Sequence, residues 1–139
     1  MMTREEGEKL IHQAEWVTPP SRGDLLSKVR IAWEKRNHNL VVRRVQEVVE
    51  LALKGGVRVL GGEYPKVHDV APVFCRLTHQ KIGVPNSDLV PILRISQWLS
   101  EARAPSFYME MDYPEEDAKR AYDDAQIVLN PVKEMLDIK

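Results

Sequence analysis

Gln46, Glu50 and Lys54 recur every fourth residue in a segment of helical apolar period, which lays an amide, a carboxylate and an ammonium along one helix face. A Glu four residues before a Lys is a favourable local pair, worth roughly a few tenths of a kcal/mol, so the plain reading of the trio is a solvated face. In the functional reading it lines a dimer groove or meets a nucleotide, Lys54 at phosphate and Gln46 at a base or ribose. His68-Asp69 offers a different chemistry. Either the two residues anchor the start of a helix, His68 bonding a backbone carbonyl, or His68 stands near solvent for proton transfer with Asp69 as its orienter. Arg103 and Tyr108 flank a proline and would pin that stretch by hydrogen bonding or stack on a ligand ring.

Other chemistries lack their residues. His12, His38, His68 and His79 are scattered, and none forms a zinc-finger or H-E-x-x-H spacing, so no metal site is expected. Cys75 follows Phe74 in an apolar run and reads as a packed thiol rather than a nucleophile. The run from Gly55 to Gly62 lacks the Lys and Ser/Thr of a phosphate loop. Arg36, Arg43 and Arg44 could meet phosphate, although Glu47 and Glu50 dilute their field. No cofactor and no catalytic residue are implied.

The whole chain sets further bounds. Its 139 residues suit one domain spanning 1–139, and 20 Lys plus Arg against 21 Asp plus Glu leave a net charge of -1. Any nucleic-acid binding must therefore come from a local patch rather than from overall charge. One cysteine permits no internal disulfide, which fits a reducing compartment. The start MMTREEGEKLIHQ is acidic and amphipathic, unlike an export signal, and no apolar run approaches the roughly 20 residues that cross a bilayer. A soluble, cytoplasmic protein without membrane partners is expected.

The elements that must position these residues are helical. Periodicity predicts a first helix from Thr3 to about Trp16, ended by Pro19 and Pro20, and a second opened by Ser21 or Asp24 and closing near Lys35. Arg36 to Asn39 form a polar connection, with Asn39 the expected cap of a third helix running from Leu40 to Leu60. Within it, Gly55-Gly56 marks a close neighbour or a kink, and Gly61-Gly62 closes it through a left-handed residue. His68-Asp69 is expected to open a short fourth helix carrying Val70, Val73, Phe74 and Leu77. Ser87 or Asp88 leads a fifth through Leu89 to Ala102, and Arg103 to Pro114 reads as an aromatic loop over a bundle edge. Pro114 and three acids start the last helix, with a bend expected at Asn130 because Pro131 lacks a donor. The fold class is all-α, an antiparallel up-and-down bundle of about five helices.

Three stretches carry a resemblance. They are Asn39 to Glu50 with Gln46, Glu50 and then Lys54; Glu63-Tyr64-Pro65-Lys66-Val67-His68-Asp69-Val70; and Arg103, Ala104 and Tyr108, followed by Tyr122 and Ala125. Together they resemble the HEPN family of small helical, nucleotide-binding domains. The resemblance implies a bundle of about five helices, often a homodimer, that accompanies a separate minimal nucleotidyltransferase and binds nucleotide or RNA. Its binding residues would be drawn from Gln46, Glu50, Lys54, His68, Asp69, Arg103 and Tyr108. Ribonuclease members, known from toxin-antitoxin pairs, carry a closely spaced Arg and His. Here seven residues separate Arg4 from His12 and Arg30 from His38, and two separate Arg76 from His79, so autonomous catalysis is not expected. Gly55-Gly56 also departs from the bulkier residues usual in that helix. Two alternatives stay open: a divergent metal-independent RNA endonuclease using His68 or His38, and a purely structural dimeric module.

Overall fold

A computed structural model describes residues 4–14, 25–107 and 112–138. These form six helices, α1 (Arg4–Ala14), α2 (Leu25–Glu34), α3 (His38–Val59), α4 (Ala71–Ile82), α5 (Asn86–Phe107) and α6 (Glu115–Met135), with no strand among the described residues. The all-α bundle expected from periodicity is present, with six helices in place of about five.

The bundle is organised around α3, against which all five other helices pack. Val41, Val42, Val45, Val48, Val49, Ala52, Leu53 and Val57 are almost completely buried along it. So many β-branched residues cost helix propensity, about 0.5 kcal/mol each, but burying a valine side chain returns roughly 1.5 kcal/mol or more, so packing decides the conformation. The helix is closed as expected by Gly61 at φ 81, with Gly61 N–H bonded to the Arg58 carbonyl and Gly62 N–H to that of Val57. The same pair of bonds closes α2 at Arg36 (φ 56) and α6 at Asp137 (φ 54), where non-glycine residues take the left-handed position.

Several boundaries differ from the sequence expectation. Asn37, not Asn39, caps α3: its side chain accepts from Leu40 N–H at 3.2 Å. Asn39 is buried instead and accepts the Tyr113 N–H at 2.9 Å, fastening the start of α3 to the lead-in of α6. α4 begins at Ala71, after His68-Asp69, with Pro72 in its first turn and no side-chain cap. α5 continues through Pro105 to Phe107, so Arg103 lies on a helix rather than in a loop. The continuation follows from Leu99, Ala102 and Ser106, buried at helical spacing, and the Ser106 hydroxyl donates to the Arg103 carbonyl. α6 runs as one helix to Met135; the carbonyl freed by Pro131 is that of Ile127, whose residue is exposed, and water there can satisfy it. The breaks expected at Pro19 and Pro20, and Tyr108, Met109 and Met111 of the expected loop, lie outside the described residues.

Gly55 and Gly56 resolve as close approaches within an unbroken helix. A Cβ on Gly7 of α1 would stand 2.6 Å from the Gly55 carbonyl oxygen and 2.6 Å from Val59 N. One on Gly55 would stand 2.7 Å from the Gly7 oxygen, and one on Gly56 would strike the Phe74 ring at 2.4 Å. Backbone therefore meets backbone where α1 crosses α3. Gly7→Ala or Gly55→Ala gains about 1 kcal/mol of helix propensity but forces two helices apart, so each is expected to lower stability by about 1–3 kcal/mol in urea unfolding. An unchanged or raised midpoint would show that α1 does not seat on this notch.

Candidate functional site

The fourfold spacing of Gln46, Glu50 and Lys54 on α3 becomes a bonded chain. Arg103, brought in by the last turns of α5, donates through Nη1 to Gln46 Oε1 at 2.7 Å, and Gln46 Nε2 donates to Glu50 Oε1 at 2.8 Å. Lys54 Nζ donates to Glu50 Oε2 at 2.8 Å, and His68 Nδ1 lies 2.8 Å from Glu50 Oε1. An ionised carboxylate only accepts, so that imidazole nitrogen is the donor. Burial alone would push the Glu50 carboxyl up; bonds from Lys54, Gln46 and His68 outweigh it and hold the group below its ordinary value.

The structure thus joins five of the residues singled out by sequence; Glu50 and Lys54 form the local pair their spacing predicts, while Gln46 and His68 take partners other than those expected. Gln46 is 2% exposed and both ends of its amide are occupied, so it holds Arg103 and Glu50 in place rather than offering itself to a base or ribose. His68 is bonded to Glu50, not to a backbone carbonyl, and its side chain stays 53% exposed. Asp69 neither caps α4 nor orients His68: it accepts from Ser96 Oγ of α5 at 2.7 Å, which docks the α3–α4 connection on the bundle. Tyr108 lies outside the described residues.

Beside the chain is an open cavity of about 260 Å³ lined by Glu47, Glu50, Leu51, Lys54 and Arg103. Glu47 is held by Arg43 and Arg44, each at 3.1 Å. Arg43, Arg44, Lys54 and Arg103 set four cations against the two carboxylates, so this face carries two positive charges in excess on a chain whose net charge is -1. One turn further, Lys54 and Arg58 lie 5.1 and 4.4 Å from the centre of the Tyr64 ring, and Arg58 Nε is buried without a hydrogen-bond partner. From Arg43 to Arg58 the face extends about 22 Å along α3. Sequence reasoning did not assign Arg58 to it, although it continues the same fourfold spacing.

No group of three or more His, Cys, Asp or Glu among the described residues could hold a metal ion. Cys75 is buried, and desolvation, with Asp69 adding to it, pushes its thiol up to about 11, away from nucleophilic reactivity. No helix among the described residues is long and apolar enough to cross a membrane.

The fold and site together define a helical domain with one charged face on its central helix. Residues 23–135 match the HEPN domain model, and the chain belongs to the HEPN domain family. Comparison with curated proteins and with solved structures gave no match.

Glu50→Gln keeps the shape and removes the charge. Because the carboxyl is held below its ordinary value of 4.5, its contribution is complete above that pH and disappears as pH falls through the lowered native value. Wild type is expected to exceed the variant by about 1–3 kcal/mol at pH 7, the gap closing below about pH 4.5 in a pH series of urea unfolding curves. A gap that widened on acidification would contradict the three-donor account.

Proposed function

We propose that the Glu50-centred face of α3 binds the phosphates of a nucleotide or RNA, in a module that acts as a homodimer and as an adapter for a separate minimal nucleotidyltransferase. The observation that carries this reading is the surplus of positive charge that Arg43 and Arg44 add to a face beside an open cavity, in a chain that is otherwise slightly acidic. Lys54 and Arg103 supply the phosphate contacts, the first as a compact charge and the second as a planar fork. Glu50 and Gln46 hold both cations on a surface that would otherwise have them repel. Arg43 and Arg44 extend the field, and Tyr64, already under two cations, provides a ring for stacking. The adapter role and the link to toxin-antitoxin pairs draw on family membership.

Lys54→Ala and Arg103→Ala are each expected to weaken binding of a short RNA by about tenfold and to flatten its salt dependence by about one ion per cation removed. Filter binding across a salt series reads both quantities, and affinity indifferent to either substitution would end the proposal. Light scattering and pull-down with the product of the neighbouring gene test the assembly; a strict monomer that ignores that partner would remove the adapter role.

A second reading, an RNA endonuclease, is favoured by one contact: a half-exposed imidazole held by an ionised carboxylate at 2.8 Å is an arrangement suited to proton transfer. Purified protein that cleaves RNA, and loses the activity in His68→Ala, would establish it. Cleavage persisting in that variant would remove His68 from the chemistry.

A further inference from the structure

A second concavity shares no residue with the Glu50 face. α2 and α6 both pack on α3 without forming a close helix pair with each other, and a cleft of about 310 Å³ lies between them. Arg30 and Trp33 of α2 line it, with Lys119, Tyr122 and Asp123 from a single turn of α6. Each helix therefore brings one cation and one aromatic ring, and α6 adds a carboxylate. Trp33 and Tyr122 pack on the core yet stay partly open, and the Trp33 ring is steadied by that of His38, 6.2 Å away between centroids.

The charges of the cleft are uncommitted. Arg30, Lys119 and Asp123 are exposed and make no hydrogen bond or ion pair among the described residues, in contrast to the mutually bonded charges around Glu50. Lys119 and Asp123 stand four apart, the spacing at which a helix can close a pair, and leave it open, whereas Arg120 and Asp124, one position on, approach to 3.8 Å. Each group restricts what fits. A pair of cations suits one anionic group, and a guanidinium takes a carboxylate through two parallel bonds. A carboxylate only accepts, so Asp123 suits an ammonium. Indole and phenol surfaces suit a planar apolar ring. The volume admits one ring system with a short substituent rather than a polymer. A ligand meeting all of these demands carries an anion, a cation and one ring, and is itself close to neutral.

We propose that the α2–α6 cleft is a ligand site for a free α-amino acid with an aromatic side chain. The ring lies against Trp33 and Tyr122, the carboxylate accepts from Arg30 and Lys119, and the ammonium donates to Asp123.

Calorimetric titration of the full chain with L-phenylalanine, hydrocinnamate, phenethylamine and L-alanine separates the parts: the second lacks the ammonium, the third the carboxylate and the fourth the ring. L-phenylalanine is expected to bind saturably and at least about tenfold more tightly than each of the others, because ring, anion and cation contacts act together. Asp123→Asn is expected to weaken L-phenylalanine about tenfold while leaving hydrocinnamate nearly unchanged. Arg30→Ala is expected to weaken both of those ligands about tenfold while leaving phenethylamine nearly unchanged. Both positions are exposed, so neither substitution disturbs the core. Lys54→Ala leaves L-phenylalanine affinity intact if the cleft is the site, which keeps this test independent of the Glu50 face. No saturable binding at millimolar L-phenylalanine, equal affinity for L-alanine or hydrocinnamate, or binding lost in Lys54→Ala but kept in Asp123→Asn would each overturn the assignment.

Discussion

The structure depends on the crowding of one helix. With five neighbours packed against α3, most of its circumference must be apolar, and charge is confined to the strip that they leave open. Cations crowded onto so narrow a strip would repel one another, and the carboxylates that hold them stand on α3 itself, Glu47 with Arg43 and Arg44, Glu50 with Lys54. Glu50 resolves the conflict by accepting from an amide, an ammonium and an imidazole together. The packing of the core and the electrostatics of the surface are in this sense one problem: the more completely α3 is buried, the more its remaining polar positions must satisfy one another.

That demand reaches beyond α3. Arg103 joins the network only because α5 runs past its expected end, and His68 joins because Asp69, tied to Ser96, holds the connection between α3 and α4 against the bundle. Three segments distant in sequence thereby meet at one carboxylate. Backbone contact between Gly7 and Gly55 makes room for α1 on another part of the same helix. Small residues on one side and charged residues on another are both consequences of a central helix with too many neighbours.

Much of this was legible in the chain, and the failures have physical causes. Helix identity followed from apolar spacing, and the closure at Gly61 followed from the scarcity of residues that accept positive φ. The face bearing Gln46, Glu50 and Lys54 was visible because a helix repeats. What local pattern could not supply was the partner of each polar group. Adjacency offers Asp69 either the start of α4 or His68, whereas the fold gives it Ser96, 27 residues away. Asn39 looked like a cap, yet its bond is to Tyr113, a contact 74 residues distant. The fifth helix reads as ending at Ala102, before a loop from Arg103 to Pro114, but burial of Ala102 and Ser106 carries it on through Pro105 despite the absent donor.

Asn37 has a consequence for motion. Its N–H closes α2 on the Ala32 carbonyl, while its side chain and its own carbonyl begin α3. One residue thus terminates a helix and starts the next, and the joint contains no slack. The direction in which α2 arrives, and with it the placing of Arg30 and Trp33, is set by the first turn of the central helix. The bearing of α2 across the bundle is thus fixed at a single hinge pin rather than along a loop.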